Sequence, residues 1–194
     1  EGGPVGGIPL GGSQFGASRN ADCYFDQNVM FDLYDGGGLD QAYLGLAQAD
    51  ENGSVNVSRF GPRIAGCGGF IDITQNAKSV YFCGTFTAGG LKTSIKDGKL
   101  IIENEGREPK FIKQVEQITF SGNFAAEKGQ PVMYITERAV FELRKDGVYL
   151  TEVAPGIDIK TQIIDVMGFE PKIDGEVKLM DERIFKDEIM GLKK

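Results

Sequence analysis

The sequence contains no histidine and no tryptophan, and only three of its 194 residues are cysteine. The missing histidine is the most restrictive absence. Histidine is the usual general base near neutral pH, so a Ser–His or Cys–His nucleophile cannot be assembled within this chain. Chemistry here must run on carboxylates, backbone dipoles, lysine or tyrosine. Cys23, Cys67 and Cys83 are odd in number and show no Cys-x-x-Cys spacing, which fits neither a disulfide framework nor a zinc site. Buried free thiols in a reducing compartment are the expectation, and no metal is expected.

Basic clusters are also lacking. Lysine and arginine total 21 against 28 acidic residues, a net charge of −7, and the lysines are spread along the chain. Nucleic-acid binding, which rests on a basic face that neutralises phosphates, is therefore disfavoured. A small anionic ligand needs only a local patch or a few backbone N–H groups and stays open. No apolar run approaches the roughly 20 residues of a membrane span, and no signal-peptide pattern is present in this sequence, which lacks an initiator Met and need not include the true N-terminus. These absences lead to the expectation of a soluble, cytoplasmic protein with no membrane or nucleic-acid partner.

What the chain has in abundance is glycine, 28 residues. Seven of the first sixteen are glycine, and Glu1-Gly2-Gly3-Pro4-Val5-Gly6-Gly7 runs a carboxylate straight into them. A carboxylate on an exposed turn with close backbone approach suits covalent carboxylate catalysis. Glycine near a chain end is equally the mark of a linker or a frayed terminus. Two further clusters, Asp35-Gly36-Gly37-Gly38-Leu39-Asp40 and Gly66-Cys67-Gly68-Gly69-Phe70, read either as small anion-binding nests or as tight turns.

Periodicity supplies the intervening elements. Phe25, Val29, Met30 and Leu33 fall at helical spacing and Asp35-Gly36-Gly37-Gly38 stops the helix. Gln41–Gln48 reads as a strand, with Asp50-Glu51-Asn52-Gly53 turning into 54–58. A helix can start after Gly69. Ser79–Cys83 is a continuous apolar run, the pattern of a strand buried on both faces. Lys96-Asp97-Gly98 and Lys145-Asp146-Gly147 mark two antiparallel hairpins. Ile159, Ile163, Ile164 and Met167 have helical spacing, and the charged tail after them has little periodicity. The fold class expected is α/β, an open mixed sheet with flanking helices and antiparallel hairpins, in one domain over 1–194.

Several familiar patterns fail. Gly89-Gly90-Leu91-Lys92-Thr93 lacks the Gly-Lys-Thr adjacency of a phosphate loop. Gly53 comes too early after Asp50 for a calcium loop. No glycine follows Gly68 at the spacing of a dinucleotide fingerprint.

Taken together, the glycine segments resemble the C-terminal half of the family I coenzyme A transferases, closest to the acetate and propionate branch. Glu1-Gly2-Gly3-Pro4-Val5-Gly6 matches the family's Glu-x-Gly-x-x-Gly signature, and Gly66-Cys67-Gly68-Gly69-Phe70 its Gly-x-Gly-Gly-Phe. Tyr34–Asp40, Asn56–Gly61, Phe82–Gly89, Tyr134–Arg138 and Ala154–Asp158 are also similar to this branch, so the likeness runs in order along nearly the whole chain. The resemblance implies a CoA-transferase-like (NagB/RpiA-like) C-terminal domain. It also implies ping-pong transfer of CoA between an acyl-CoA and a short-chain carboxylate through a glutamyl-CoA thioester. Coenzyme A would then be substrate and covalent partner, with no permanently bound cofactor.

On this resemblance Glu1 is the nucleophile and the N–H groups of Gly68 and Gly69 line the oxyanion site. Gly66 and Lys92 fall on the CoA-binding side. An N-terminal half, as a second chain or the rest of one polypeptide, would complete the cleft, and a homo-oligomer is expected. An acyl-CoA hydrolase using the same glutamate, or a non-catalytic domain of this fold, is the alternative. The chemistry agrees with the composition, because attack by a carboxylate moves no proton and requires no histidine.

Overall fold

The computed structural model describes residues 2–192; Glu1, Lys193 and Lys194 lie outside the described residues. At its centre is a six-stranded mixed sheet. Its strands are β1 (Gln41–Gly45), β2 (Ser79–Cys83), β3 (Val132–Ile135), β4 (Ala139–Arg144), β5 (Gly147–Val153) and β6 (Lys178–Leu179). They lie side by side in chain order. β1, β2 and β3 are parallel, β3–β4 and β4–β5 antiparallel, and β5–β6 parallel. This is the expected open mixed sheet. Parallel neighbours need long crossovers, and these carry α2 (Phe70–Asn76) between β1 and β2 and α3 (Gly122–Lys128) between β2 and β3.

The turns follow their residues. The Asp50 carboxylate Oδ1 accepts from the Asn52 and Ser54 N–H groups, each at 3.0 Å, which curls the chain back. Gly53 takes the positive φ of +75° that this turn requires. The turn joins Gln48–Ala49 to Val55–Asn56 as a short antiparallel pair. Helix α1 (Gln27–Asp35) is stopped by Gly36 at its C-cap, as the glycine run predicts. α3 is capped at both ends, by the Ser121 hydroxyl accepting from Phe124 N–H and by left-handed Gly129.

The main core lies on the sheet face covered by α2, α3 and the segment around Ile163–Phe169. It is strongly aromatic. Phe82 stacks on Phe70 and Tyr134, with ring centroids 5.7 and 5.6 Å apart, and meets Phe120 edge-on at 5.1 Å. A second, smaller cluster occupies the opposite face, where Leu100, Met180 and Phe185 pack on Val140 and Ala154. Leu100 comes from the antiparallel hairpin of Lys92–Lys96 and Lys99–Asn104. In β4 three consecutive residues, Ala139, Val140 and Phe141, are buried, and a register shift falls between Val140 and Phe141. Ala139 and Phe141 join the main core while Val140 joins the smaller one.

Three expectations are corrected. The apolar run of β2 is not buried on both faces: Val80 and Phe82 are sealed, but Tyr81 is half-buried against Tyr43 and Cys83 is exposed. The smaller cluster ends before it reaches this part of the sheet. All three cysteines are exposed, not buried. The helix over 157–167 breaks into α4 (Ile159–Gln162) and one 3-10 turn, because Ile163 leaves helical backbone to enter the core at φ −124°, ψ −69°. The charged tail is anchored: it supplies β6 and the buried Phe185.

At the β3–β4 turn one charge is fully interior. The Arg138 side chain is 0% exposed. Its guanidinium donates to Glu105 at 2.6 and 3.0 Å, to Glu137 at 2.7 Å and to the Gln162 carbonyl at 3.1 Å, and stacks 4.7 Å from the Phe86 ring. Burial pushes the Glu105 carboxyl up, but hydrogen bonds from Arg138 and Thr87 outweigh it and hold the carboxyl below the ordinary value of 4.5. A depressed carboxylate contributes stability above its unfolded pKa and loses it as pH falls through the folded value. Denaturant titrations should therefore show Glu105→Gln flattening the acid limb of stability below about pH 4.5. Arg138→Met should cost about 3 kcal/mol at neutral pH, the lower end for breaking a buried pair because both carboxylates keep some solvent.

Candidate functional site

The glycine-rich entry is an ordered double hairpin. Pro4–Val5 pairs with Cys23–Tyr24, and Ile8–Pro9 with Ser18–Arg19. Its glycines answer to steric demands. A Cβ on Gly2 would lie 2.0 Å from the Gly16 carbonyl oxygen, and one on Gly3, at φ +83°, 2.0 Å from that of Phe25. No other residue fits either place without moving the backbone. The segment Gly2–Gly3, just before Pro4–Val5, is thereby pressed against the backbone of Gly16 and Phe25, and a cavity of about 410 Å³ opens beside it between Gly2, Gly3, Phe15, Met30 and Tyr34.

A second cleft, about 620 Å³, lies at the C-terminal end of β1. One wall is Gly45-Leu46-Ala47 and the other is Cys67-Gly68-Gly69-Phe70; Tyr43 and Phe15 complete the rim. This is where open α/β sheets hold ligands, beyond the carboxyl ends of their parallel strands. Phe15 lines both spaces, so the glycine hairpin and the Gly68 loop face adjoining ground. Gly66 and Gly68 both adopt positive φ, +82° and +52°. The Phe70 N–H folds back to the Cys67 carbonyl at 3.1 Å, while the Gly68 N–H donates to no group among the described residues. None of the residues lining the cleft carries a charge.

Of the sites expected from sequence, Gly68 and Gly69 line this cleft and Gly66 stands next to it. Glu1 lies outside the described residues, though its neighbours Gly2 and Gly3 line the adjoining cavity. Lys92 pairs with Asn104 at the foot of the outer hairpin and lines neither space. Among the described residues no group of histidine, cysteine, aspartate and glutamate side chains could hold a metal ion, and no helix is long and apolar enough to cross a membrane. Sequence reasoning missed Arg138 and Lys110, both buried at the same end of the sheet. Arg138 sits in a stretch, Tyr134–Arg138, that the resemblance included without giving it a role. Nothing in the spacing of the other lysines singles out Lys110.

No family model matches the sequence. Comparison with known proteins does place it: the chain belongs to the coenzyme A transferase family, matching one segment of its members. It is 53% identical over 191 residues to acetate CoA-transferase YdiF of Escherichia coli K12, and 51% identical over 195 residues to caffeate CoA-transferase of Acetobacterium woodii. Each match takes in 98% of this chain, yet the chain spans only 36% and 37% of those proteins. The crystal structure of the acyl-CoA transferase YdiF from E. coli O157:H7, a thioester complex with CoA, superposes with a TM-score of 0.92 at 51% identity, covering 100% of this chain and 36% of that one. The decarboxylase AibA/AibB shares the fold alone, at 17% identity and a TM-score of 0.66.

Gly68→Val tests the cleft directly. A branched side chain at φ +52° is strained and projects beside the cleft, so turnover in the complete enzyme should fall about 100-fold or more. Steady-state rates at wild-type level would remove Gly68 from the site.

Proposed function

We propose that this chain is the glutamate-bearing C-terminal segment of an acyl-CoA:carboxylate CoA-transferase acting on short-chain acids. One observation carries the reading. Identity above 50% to two CoA-transferases extends over 98% of the chain, and the segments that resemble the family's signature lie on two adjoining spaces.

In this mechanism the Glu1 carboxylate attacks the acyl-CoA carbonyl, giving a mixed anhydride and releasing CoA thiolate. The thiolate then attacks the glutamyl carbonyl, forming a glutamyl-CoA thioester and freeing the first acid. An acceptor carboxylate runs the same steps in reverse. Each tetrahedral intermediate carries one oxyanion, and the Gly68 and Gly69 N–H groups are its donors. A carboxylate is a weak nucleophile, so positioning and charge stabilisation must lower the barrier. Gly66 and Lys92 contribute on the CoA side.

The remaining segment, the N-terminal half in this reading, closes the cleft. The apolar surface awaiting it includes Phe15, 82% exposed, and Tyr43, 65% exposed. Val29 and Leu33 of α1 and Phe25 just before it are also exposed, although Tyr34 of the same helix turns into the interior. Contiguous apolar exposure of this kind marks an interaction surface. The 1–194 domain so completed would work in the cytoplasm as a homo-oligomer.

The test is transfer from acetyl-CoA to isotopically labelled propionate by the complete enzyme. Label should appear in propionyl-CoA, and Glu1→Gln and Glu1→Asp should both abolish it, aspartate being one methylene too short. Mass analysis after acyl-CoA treatment should find CoA bound covalently at Glu1. Retained transfer in Glu1→Gln refutes the assignment, and release of free CoA without labelled thioester makes the enzyme a hydrolase.

A further inference from the structure

Lys110 is a largely buried residue whose ammonium is unpaired among the described residues. Only 9% of the residue is exposed, and among the described residues its ammonium makes no hydrogen bond or ion pair. The carboxylate that influences it, Glu137, is already engaged: Oε1 accepts from Arg138 at 2.7 Å and Oε2 from the Phe86 N–H at 2.8 Å. Burial pushes the Lys110 ammonium below the ordinary lysine value, and Glu137 only partly opposes this. The contrast with Arg138 is sharp. That cation is neutralised by two carboxylates, whereas Lys110 feels only Glu137, already engaged elsewhere, and has no close counter-ion among the described residues, so an arriving anion would stabilise its charged form.

Its surroundings suit such an arrival. Nζ approaches Gly84, just beyond β2, so closely that a Cβ there would lie 2.9 Å from it and 3.5 Å from the Leu46 carbonyl oxygen. Leu46 forms the wall of the cleft opposite Gly68 and Gly69. Lys110 therefore lies close to the Leu46 wall of an uncharged cleft that it does not itself line, and the missing side chain at position 84 leaves its flexible stem room to present the ammonium there.

We propose that Lys110 binds the carboxylate group of a small monocarboxylic acid at the Leu46–Gly84 side of the cleft. The proposal deepens the transferase reading and rests on it for the identity of the acid, the acceptor or the released product. The anion binds by a charge-assisted hydrogen bond from Nζ, and no bond is made or broken.

Two measurements on the complete enzyme test it. The first needs no CoA and no activity: line broadening of 13C-carboxyl propionate on adding enzyme. Wild type and Lys110→Arg should broaden the signal and Lys110→Met should not, with near-ultraviolet circular dichroism confirming that each is folded. The second is steady-state transfer. Lys110→Met should lower kcat/KM for the carboxylate about 10- to 100-fold, mainly through KM, as expected for loss of a charged hydrogen bond, and Lys110→Arg should restore much of it. Gly84→Ala should act in the same direction while keeping the charge, because its Cβ displaces a flexible ammonium rather than backbone.

Equal broadening by Lys110→Met and wild type, or none by wild type, overturns the proposal, as does an unchanged carboxylate KM in Lys110→Met and Gly84→Ala. If propionate binding depends on Lys110 in an enzyme that transfers no CoA, the transferase reading falls and the carboxylate site stands.

Discussion

The end of the sheet at which the candidate cleft opens is organised around one interior charge. Arg138 leaves the β3–β4 turn and reaches Glu105 beyond the outer hairpin, Glu137 beside it and the last carbonyl of α4. Three separately folded stretches of chain are thus fixed to one planar group. A guanidinium is suited to this because its fork can satisfy several acceptors at once and its face can lie on an aromatic ring, here Phe86. Glu137 in turn holds the Phe86 N–H, so the backbone leaving β2 is set by the same network. Gly84 and the cleft wall inherit their positions from it.

How much of this was legible in the sequence depends on whether the cause was local. Turns and stops were readable because single residues impose them: Gly36 after α1, Asp50 to Gly53, Lys145-Asp146-Gly147. Strands were found by their apolar runs. What failed depended on neighbours far along the chain. The run Ser79–Cys83 says nothing of whether a second layer reaches its outer face, and that layer stops before Tyr81. Cys23, Cys67 and Cys83 have the apolar character of buried thiols, yet all lie on surfaces that the described residues leave uncovered. Ile163 kept helical spacing but was drawn into the core at the expense of helical backbone.

The candidate site divides in the same way. Gly66, Gly68 and Gly69 were visible because glycine at such density has a conformational reason. Arg138 and Lys110 were not, because a buried cation is indistinguishable from a surface one until its surroundings are known. The fold by itself settles little about chemistry: the decarboxylase AibA/AibB has a related fold at 17% identity. Function on such a scaffold belongs to the residues placed on it.

The alternation along β4 has a wider consequence. Because Ala139 and Phe141 face one hydrophobic cluster while Val140 faces the other, a single strand is shared property of two cores. Neither layer can loosen without disturbing the backbone that supports its neighbour. The two layers are therefore joined through one backbone, and the thin outer layer, which has far fewer buried apolar residues of its own, rests on a strand that the aromatic core also holds.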